Sequence, residues 1–174
     1  LPLLIAQSQE WSAIPKNFHG TTTPHFTVVK AIATQALQAT NGSWFMTLTG
    51  TVHASITDVG IIAPSFASFF TNNTAFLTLD PAVAVAKYVN VTNEFLRYVK
   101  GAGIHGVLAQ EVKYPSWQNV SNATDLGASP WEVHVGTGTG KSKTSAASTT
   151  ARVGADGHGV MTLICVMLGM VMVS

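Results

Sequence analysis

Apolar and polar positions alternate along the first hundred residues in blocks of strand and helix length. Leu3 to Ala6 is a short run of apolar residues bounded by polar ones, the pattern of a buried strand. The polar stretch "QSQEWSAIPKNFHGTTTPH" follows, with Pro15, Gly20 and Pro24 as chain breakers. From Phe26 to Ala39, the residues Val29, Ile32, Ala33, Ala36 and Leu37 recur at helical spacing, and Asn41-Gly42 ends the segment. Trp44 to Leu48 is a second short apolar run of strand length. Strand, helix, strand is the βαβ order that builds a parallel sheet covered by helices, so the pattern predicts an α/β fold.

Beyond this unit lies the irregular apolar stretch "VGIIAPSFASFF", then "TLDPAVAVAKYVNVTNEFLRYVKGAG" with a strong helix start. Asp80 suits the N-cap and Pro81 the first helical position. Val85, Val89, Phe95, Leu96 and Val99 are expected along one face. Arg97 and Lys100 fall in the last turn, where the helix dipole favours cations, and Gly101 and Gly103 stop it. Residues 104–135 read as a loop-rich extension and 136–159 as a Gly/Ser/Thr-rich spacer. Residues 160–174 form an apolar C-terminal tail without a charge. As a helix, Val160 to Val173 would span about 21 Å, against roughly 30 Å of bilayer hydrocarbon. A short apolar terminus after a polar spacer, with small residues at Ser145, Ala146 and Ala147, matches a glycolipid-anchor signal. A short membrane anchor and a tail that is an artefact of the gene reading are the competing expectations.

Composition narrows the function. The chain has 174 residues, enough for one domain, and its 9 Lys+Arg nearly cancel its 8 Asp+Glu. That balance supplies no basic field for nucleic acid. The single cysteine, Cys165, leaves the body without a disulfide or a thiolate metal site. Five N-x-[ST] sequons, at Asn41, Asn72, Asn90, Asn119 and Asn122, in a chain poor in charge favour a secreted or cell-surface glycoprotein. The chain opens on the apolar "LPLLIAQ" without the basic region of a secretory signal, which suggests that further sequence precedes Leu1.

"GTGTGKS", Gly136 to Ser142, resembles a phosphate-binding loop but has Val135 where the pattern needs glycine, and Ser/Thr-rich sequence where it needs a helix. None of the six histidines forms an i, i+4 pair, and no cofactor or metal is implied. His19, His25, His105, His134 and His158 are expected to be scattered surface residues. His53 differs by placement. It follows Leu48 on the loop that would leave the carboxyl end of a parallel strand, where reacting groups of such sheets gather.

The segment "GTVHASITD", Gly50 to Asp58, resembles the G-[ST]-x-H-x-[SN]-F-[ST]-D segment around the catalytic histidine of the platelet-activating-factor acetylhydrolases. Gly50, Thr51, His53, Ser55, Thr57 and Asp58 fit, while Ile56 replaces the usual Phe. "PLLIAQSQEW" is similar to that family's penultimate strand and the Asn/Gln-Ser-Glu-like turn after it. "LDPAVAVAKYVNVTNEFLRYV" resembles its closing helix. The likeness covers residues 1 to about 101 and implies the C-terminal portion of an α/β-hydrolase sheet over residues 1–103: strand, helix, strand, catalytic-histidine loop and closing helix. The irregular, glycosylated loop and the low-complexity tail follow it.

The resemblance implies a calcium-independent esterase that removes a short sn-2 acyl group from a phospholipid at a membrane or lipoprotein surface. His53 would be the general base. The family's nucleophile lies in a Gly-x-Ser-x-Gly elbow, which does not occur here, and its acid is an Asp that precedes the segment matched from Leu1. Both would belong to a missing N-terminal part, and this chain alone would be inactive. Asp58 does not match the family's acid and is expected to hold the loop through backbone N–H groups. Phe66, Phe69 and Phe70 are read either as core or as the wall of an acyl pocket or lipid-facing patch. Two alternatives remain: a non-catalytic surface glycoprotein derived from this fold, and a small lipid-binding module.

Overall fold

The computed structural model describes residues 1–12, 24–63, 78–115, 129–137 and 164–166. Strand β1, Leu3–Ser8, runs directly into a one-turn helix α1, Gln9–Ser12. Helix α2, His25–Thr40, crosses to β2, Ser43–Leu48, which pairs in parallel with β1 from Leu3↔Ser43 to Ser8↔Leu48. A 3-10 turn, His53–Ile56, and the short α3, Val59–Ile62, lead to the long helix α4, Pro81–Val99. A second 3-10 turn, Gly106–Ala109, precedes β3, Trp131–Val135, and β4 is Ile164–Val166. The sheet order is β3-β2-β1-β4, with β3 antiparallel to β2 and β4 parallel to β1. The chain is therefore a mixed α/β structure.

Helix ends follow local chemistry. The Asp80 carboxylate accepts from Ala82 N at 2.9 Å and Val83 N at 3.1 Å, filling two of the orphan donors at the start of α4. Asn41 ends α2 in the left-handed region, φ 55°, with its N–H on the Leu37 carbonyl at 2.8 Å.

Every residue of β2 is buried, because helices cover both faces of the sheet. Alternation sends Leu4, Ala6, Trp44, Met46 and Leu48 to the α4 face, where they meet Ala84, Tyr88, Val91 and Phe95. Ile5 and Phe45 go to the other face and pack on Phe26, Val29 and Ala33 of α2. The stripe of α4 thus runs 84, 88, 91, 95, not through the expected Val85 and Val89, and Val89 is half exposed. Ile32 of α2 is likewise exposed. Both helices carry apolar residues around more of their circumference than the sheet can cover, so periodicity alone did not choose the buried face.

The expected loop over 104–135 needs a larger correction. Glu94 of α4 accepts from Val107 N at 2.8 Å and so pins the Gly106–Ala109 turn, while Trp44 Nε1 donates to the Leu108 carbonyl at 2.9 Å. "WEVHV" then closes the sheet as β3, which makes the sheet mixed. Its alternation was legible, but two of its alternating positions are Glu132 and His134, and both are buried. Such alternation predicts a half-buried strand with its polar side in solvent, so the burial of both faces is what the pattern did not show.

In the tail, Ile164–Val166 forms an extended strand beside β1. The remainder of the expected anchor signal, the spacer beyond Thr137 and Phe66, Phe69 and Phe70 lie outside the described residues. Among the described residues no helix is long and apolar enough to cross a membrane. Of the sequons, Asn41 and Asn90 are exposed; Asn72, Asn119 and Asn122 lie outside the described residues.

Candidate functional site

The carboxyl ends of β1 and β2 lie side by side, and each leads into a tight turn. After β2 the chain reverses at Gly50, whose φ of +72° belongs to the region that glycine adopts without strain. Its carbonyl accepts from Leu79 N at 2.9 Å, and a Cβ here would stand 2.6 Å from Thr78 Oγ1. Thr51 Oγ1 donates to the Leu48 carbonyl at 2.6 Å. Val52 N donates to Ser55 Oγ at 3.1 Å and Ser55 N returns to the Val52 carbonyl at 2.8 Å, a reciprocal pair that winds the His53–Ile56 turn. The small polar residues around His53 in "GTVHASITD" thus close the turn on itself.

The turn is also fastened to α1. Gly50 N donates to Gln9 Oε1 at 2.7 Å, and Glu10 N to the Thr51 carbonyl at 3.4 Å. Beside these bonds Glu10 Oε2 receives His53 N at 2.9 Å and lies 2.6 Å from His53 Nδ1. An ionised carboxylate only accepts, so the Nδ1 proton points to Glu10, and the lone pair of the neutral ring sits on Nε2. Both side chains are about four-fifths buried, at 18% and 17% exposure. An imidazole held in one tautomer by a partly buried carboxylate, with its other nitrogen able to take a proton, is the base-and-acid arrangement of serine and cysteine hydrolases.

From the sequence no carboxylate partner is named for His53 within these residues, and the structure places one beside it. Glu10 carries that contact, placed by α1 at the end of β1. Its signal was the position of "QSQEW" directly after a strand, the same kind of place that singled out His53. What hid it was the 43-residue separation of the partners. Asp58 is exposed, and its contribution to the turn is its backbone carbonyl, which accepts from Ile61 N and Ile62 N at 2.9 Å, not its side chain.

Two histidines expected at the surface are buried, at 5% exposure for His25 and 2% for His134. His25 packs on Trp11, and desolvation lowers its pKa. His134 stands between Phe26 and Phe45, its Nε2 2.7 Å from Thr47 Oγ1 and its Nδ1 2.7 Å from the Tyr114 carbonyl. Burial lowers its pKa to about 4 despite the carbonyl contact, which raises it. Glu132 on the same face is pushed up to about 7 by desolvation, and its Oε2 lies 4.0 Å from His134 Nε2 without a hydrogen bond. His105 is exposed, and His19 and His158 lie outside the described residues. Among the described residues no three His, Cys, Asp or Glu side chains are grouped to hold a metal ion.

A cleft of about 240 Å³ opens between β1 and α4, lined by Leu4, Ala6, Ile56, Tyr88, Val89 and Thr92 among others. Ile56 ends the turn that carries His53, so that turn supplies part of the cleft's wall, while His53 and Glu10 do not line it.

Compared with protein-family models, curated proteins and solved structures, the chain matches none.

Proposed function

We propose that the chain carries the base-and-acid half of a serine-esterase centre. Its substrate class is a phospholipid with a short sn-2 acyl chain, and the sheet belongs to the C-terminal portion of an α/β-hydrolase. The contact that carries this proposal is the 2.6 Å approach of Glu10 Oε2 to His53 Nδ1 at the carboxyl ends of two parallel strands. The substrate class comes from the likeness of "GTVHASITD" to the acetylhydrolase segment. Exposed Ile61 and Ile62, just beyond the His53 turn, add apolar surface of the kind a lipid-facing enzyme needs. Partners would be the phospholipid surface and a further segment of the same protein, at the cell surface or outside it.

His53 Nε2 takes the proton of a serine hydroxyl as its oxygen attacks the ester carbonyl carbon. Glu10 holds the resulting imidazolium and keeps the ring in register. As the tetrahedral intermediate collapses, the bond to the lysophospholipid oxygen breaks, and Nε2 returns its proton to that oxygen. Water then enters by the same base, and the acyl group leaves as a free acid. No Gly-x-Ser-x-Gly occurs in these residues, so the serine would come from another segment.

The test is acyl release from a short-chain sn-2 ester by the full-length protein and His53→Ala. We expect a loss of roughly 10⁴-fold or more. Activity retained by the variant would end the proposal. The missing elbow also favours a second reading, a non-catalytic surface glycoprotein on the same framework; it predicts no hydrolysis by the wild type either.

A further inference from the structure

A four-residue helix cannot hold itself together, since one turn leaves its nucleation cost unmet. Yet α1 must keep Glu10 on His53. Besides the bonds of Gln9 and Glu10 to the Gly50–Thr51 turn and the contact of Trp11 with His25, a run of buried polar side chains attaches it to the sheet. Gln7 Nε2 reaches Ser12 Oγ at 2.6 Å and Thr47 Oγ1 at 3.2 Å. Ser12 Oγ and Thr47 Oγ1 are 3.0 Å apart, and Thr47 Oγ1 is 2.7 Å from His134 Nε2. His134 Nδ1 ends the run on the Tyr114 carbonyl at 2.7 Å. Gln7, Ser12, Thr47 and His134 are all at least 95% buried.

Donor directions follow from the terminal carbonyl. A carbonyl only accepts, so Nδ1 bears the proton, and Nε2 of the neutral ring accepts from Thr47. Thr47 has then used its one proton, so Ser12 donates to Thr47, and Gln7 supplies protons to both hydroxyls. The run is thus polarised in one sense, from Gln7 on β1 and Ser12 on α1, through Thr47 on β2, to His134 on β3. Chains of this kind strengthen one another in a buried setting, and loss of one link leaves the others unsatisfied.

We propose that Thr47 and His134 are positioning residues for the Glu10–His53 pair, anchoring α1 across three strands so that the Glu10 carboxylate stays on Nδ1. The proposal rests on the esterase reading for its effect on rate, but not for its effect on geometry. Neither residue is one the acetylhydrolase likeness singles out. Thr47 lies inside a strand, and His134 lies beyond the matched segment.

The experiment uses the full-length protein and the variants Thr47→Val, Thr47→Ser and Ser12→Ala. Valine keeps the shape of threonine and removes the hydroxyl, whereas serine keeps the hydroxyl. One readout is the proton NMR signal of the His53 Nδ1–H, which a carboxylate partner moves far downfield and which His53→Ala identifies by its loss. The other is kcat and KM on p-nitrophenyl acetate. T47V and S12A should shift or abolish the downfield proton and lower kcat by on the order of tenfold to a hundredfold, with KM little changed. T47S should restore both. A T47V protein with the proton and the rate of the wild type overturns the proposal. Should T47V fail to fold, an S12A protein with that proton and rate overturns it instead. A proton present in wild type and lost in T47V, in a protein that hydrolyses no ester, upholds the positioning role and removes the esterase.

Discussion

One oxygen of Glu10 receives two protons from the same residue: Oε2 accepts the backbone N–H of His53 at 2.9 Å and faces its Nδ1 at 2.6 Å. The backbone contact fixes where the carboxylate sits, and the ring contact fixes which nitrogen carries the proton. Two strands that end together bring this about, with one turn folded over each end.

Glu10→Gln tests the pair. The amide is nearly isosteric, so the fold should persist by circular dichroism, but it has no negative charge and can present N–H to the ring. That favours the tautomer with the proton on Nε2, which cannot act as a base. If the proposed esterase role holds, kcat of the full-length protein on a short-chain ester should fall by roughly 10⁴-fold, as when the acid of a serine-hydrolase triad becomes an amide. A variant within tenfold of wild type would show that the carboxylate is structural.

Gly50→Ala and Gly101→Ala separate strain from placement. Both glycines have positive φ, +72° and +93°. A methyl at 101 meets nothing within 4 Å, whereas at 50 it would stand 2.6 Å from Thr78 Oγ1 and 3.2 Å from Leu79 N. Each variant should lose about 1–2 kcal/mol from backbone strain in thermal melts. Only G50A should also disturb the proposed hydrolysis by the full-length protein, because the backbone that must shift carries the Gln9 contact and leads into His53.

The elements that surface in the sequence are those whose chemistry is local. The Asp80-Pro81 start of α4, the Asn41 end of α2 and the two apolar runs of β1 and β2 are each decided within a few residues, and periodicity or capping reveals them. His53 was legible for the same reason, as a titratable ring directly after a strand. Glu10 was not, because its meaning depends on β1 and β2 being neighbours. β3 shows the alternation of a strand in Trp131, Val133 and Val135, but that pattern predicts one solvated face, whereas Glu132 and His134 on the α2 side are buried. Polar residues in a core read as a solvated face, and only their partners identify them.

Phe95→Ala measures the buried stripe of α4. The ring is fully buried and meets Trp44 edge-on at 6.0 Å between centroids. Its removal should cost about 3–5 kcal/mol in denaturant titrations. Val89→Ala, on the half-exposed side, should stay within about 0.5 kcal/mol. Equal effects from the two would mean that α4 is rotated relative to the face described.

The two titratable groups of β3, Glu132 and His134, have opposing effects on stability as pH changes. Burial raises Glu132 from 4.5 to about 7, so the folded protein binds this proton more tightly than the unfolded chain does. Its ionisation therefore destabilises the fold progressively between pH 4.5 and 7, by about 3 kcal/mol once complete. Burial lowers His134 from 6.5 to about 4, so the unfolded chain takes up that proton first. Its contribution is fully present above pH 6.5 and is lost as pH falls through 4, by a similar amount. Between pH 4.5 and 6.5 the two slopes nearly cancel, and from this pair the wild type should show little change in stability. Glu132→Gln removes one slope and leaves the other. It should match the wild type near pH 4, exceed it by about 3 kcal/mol at pH 8, and gain stability steadily as pH rises from 4 to 6.5. Urea denaturation at pH 4, 5.5, 6.5 and 8 measures both profiles. Parallel profiles for the two proteins would mean that water reaches the Glu132 carboxylate and that β3 does not close the sheet over it.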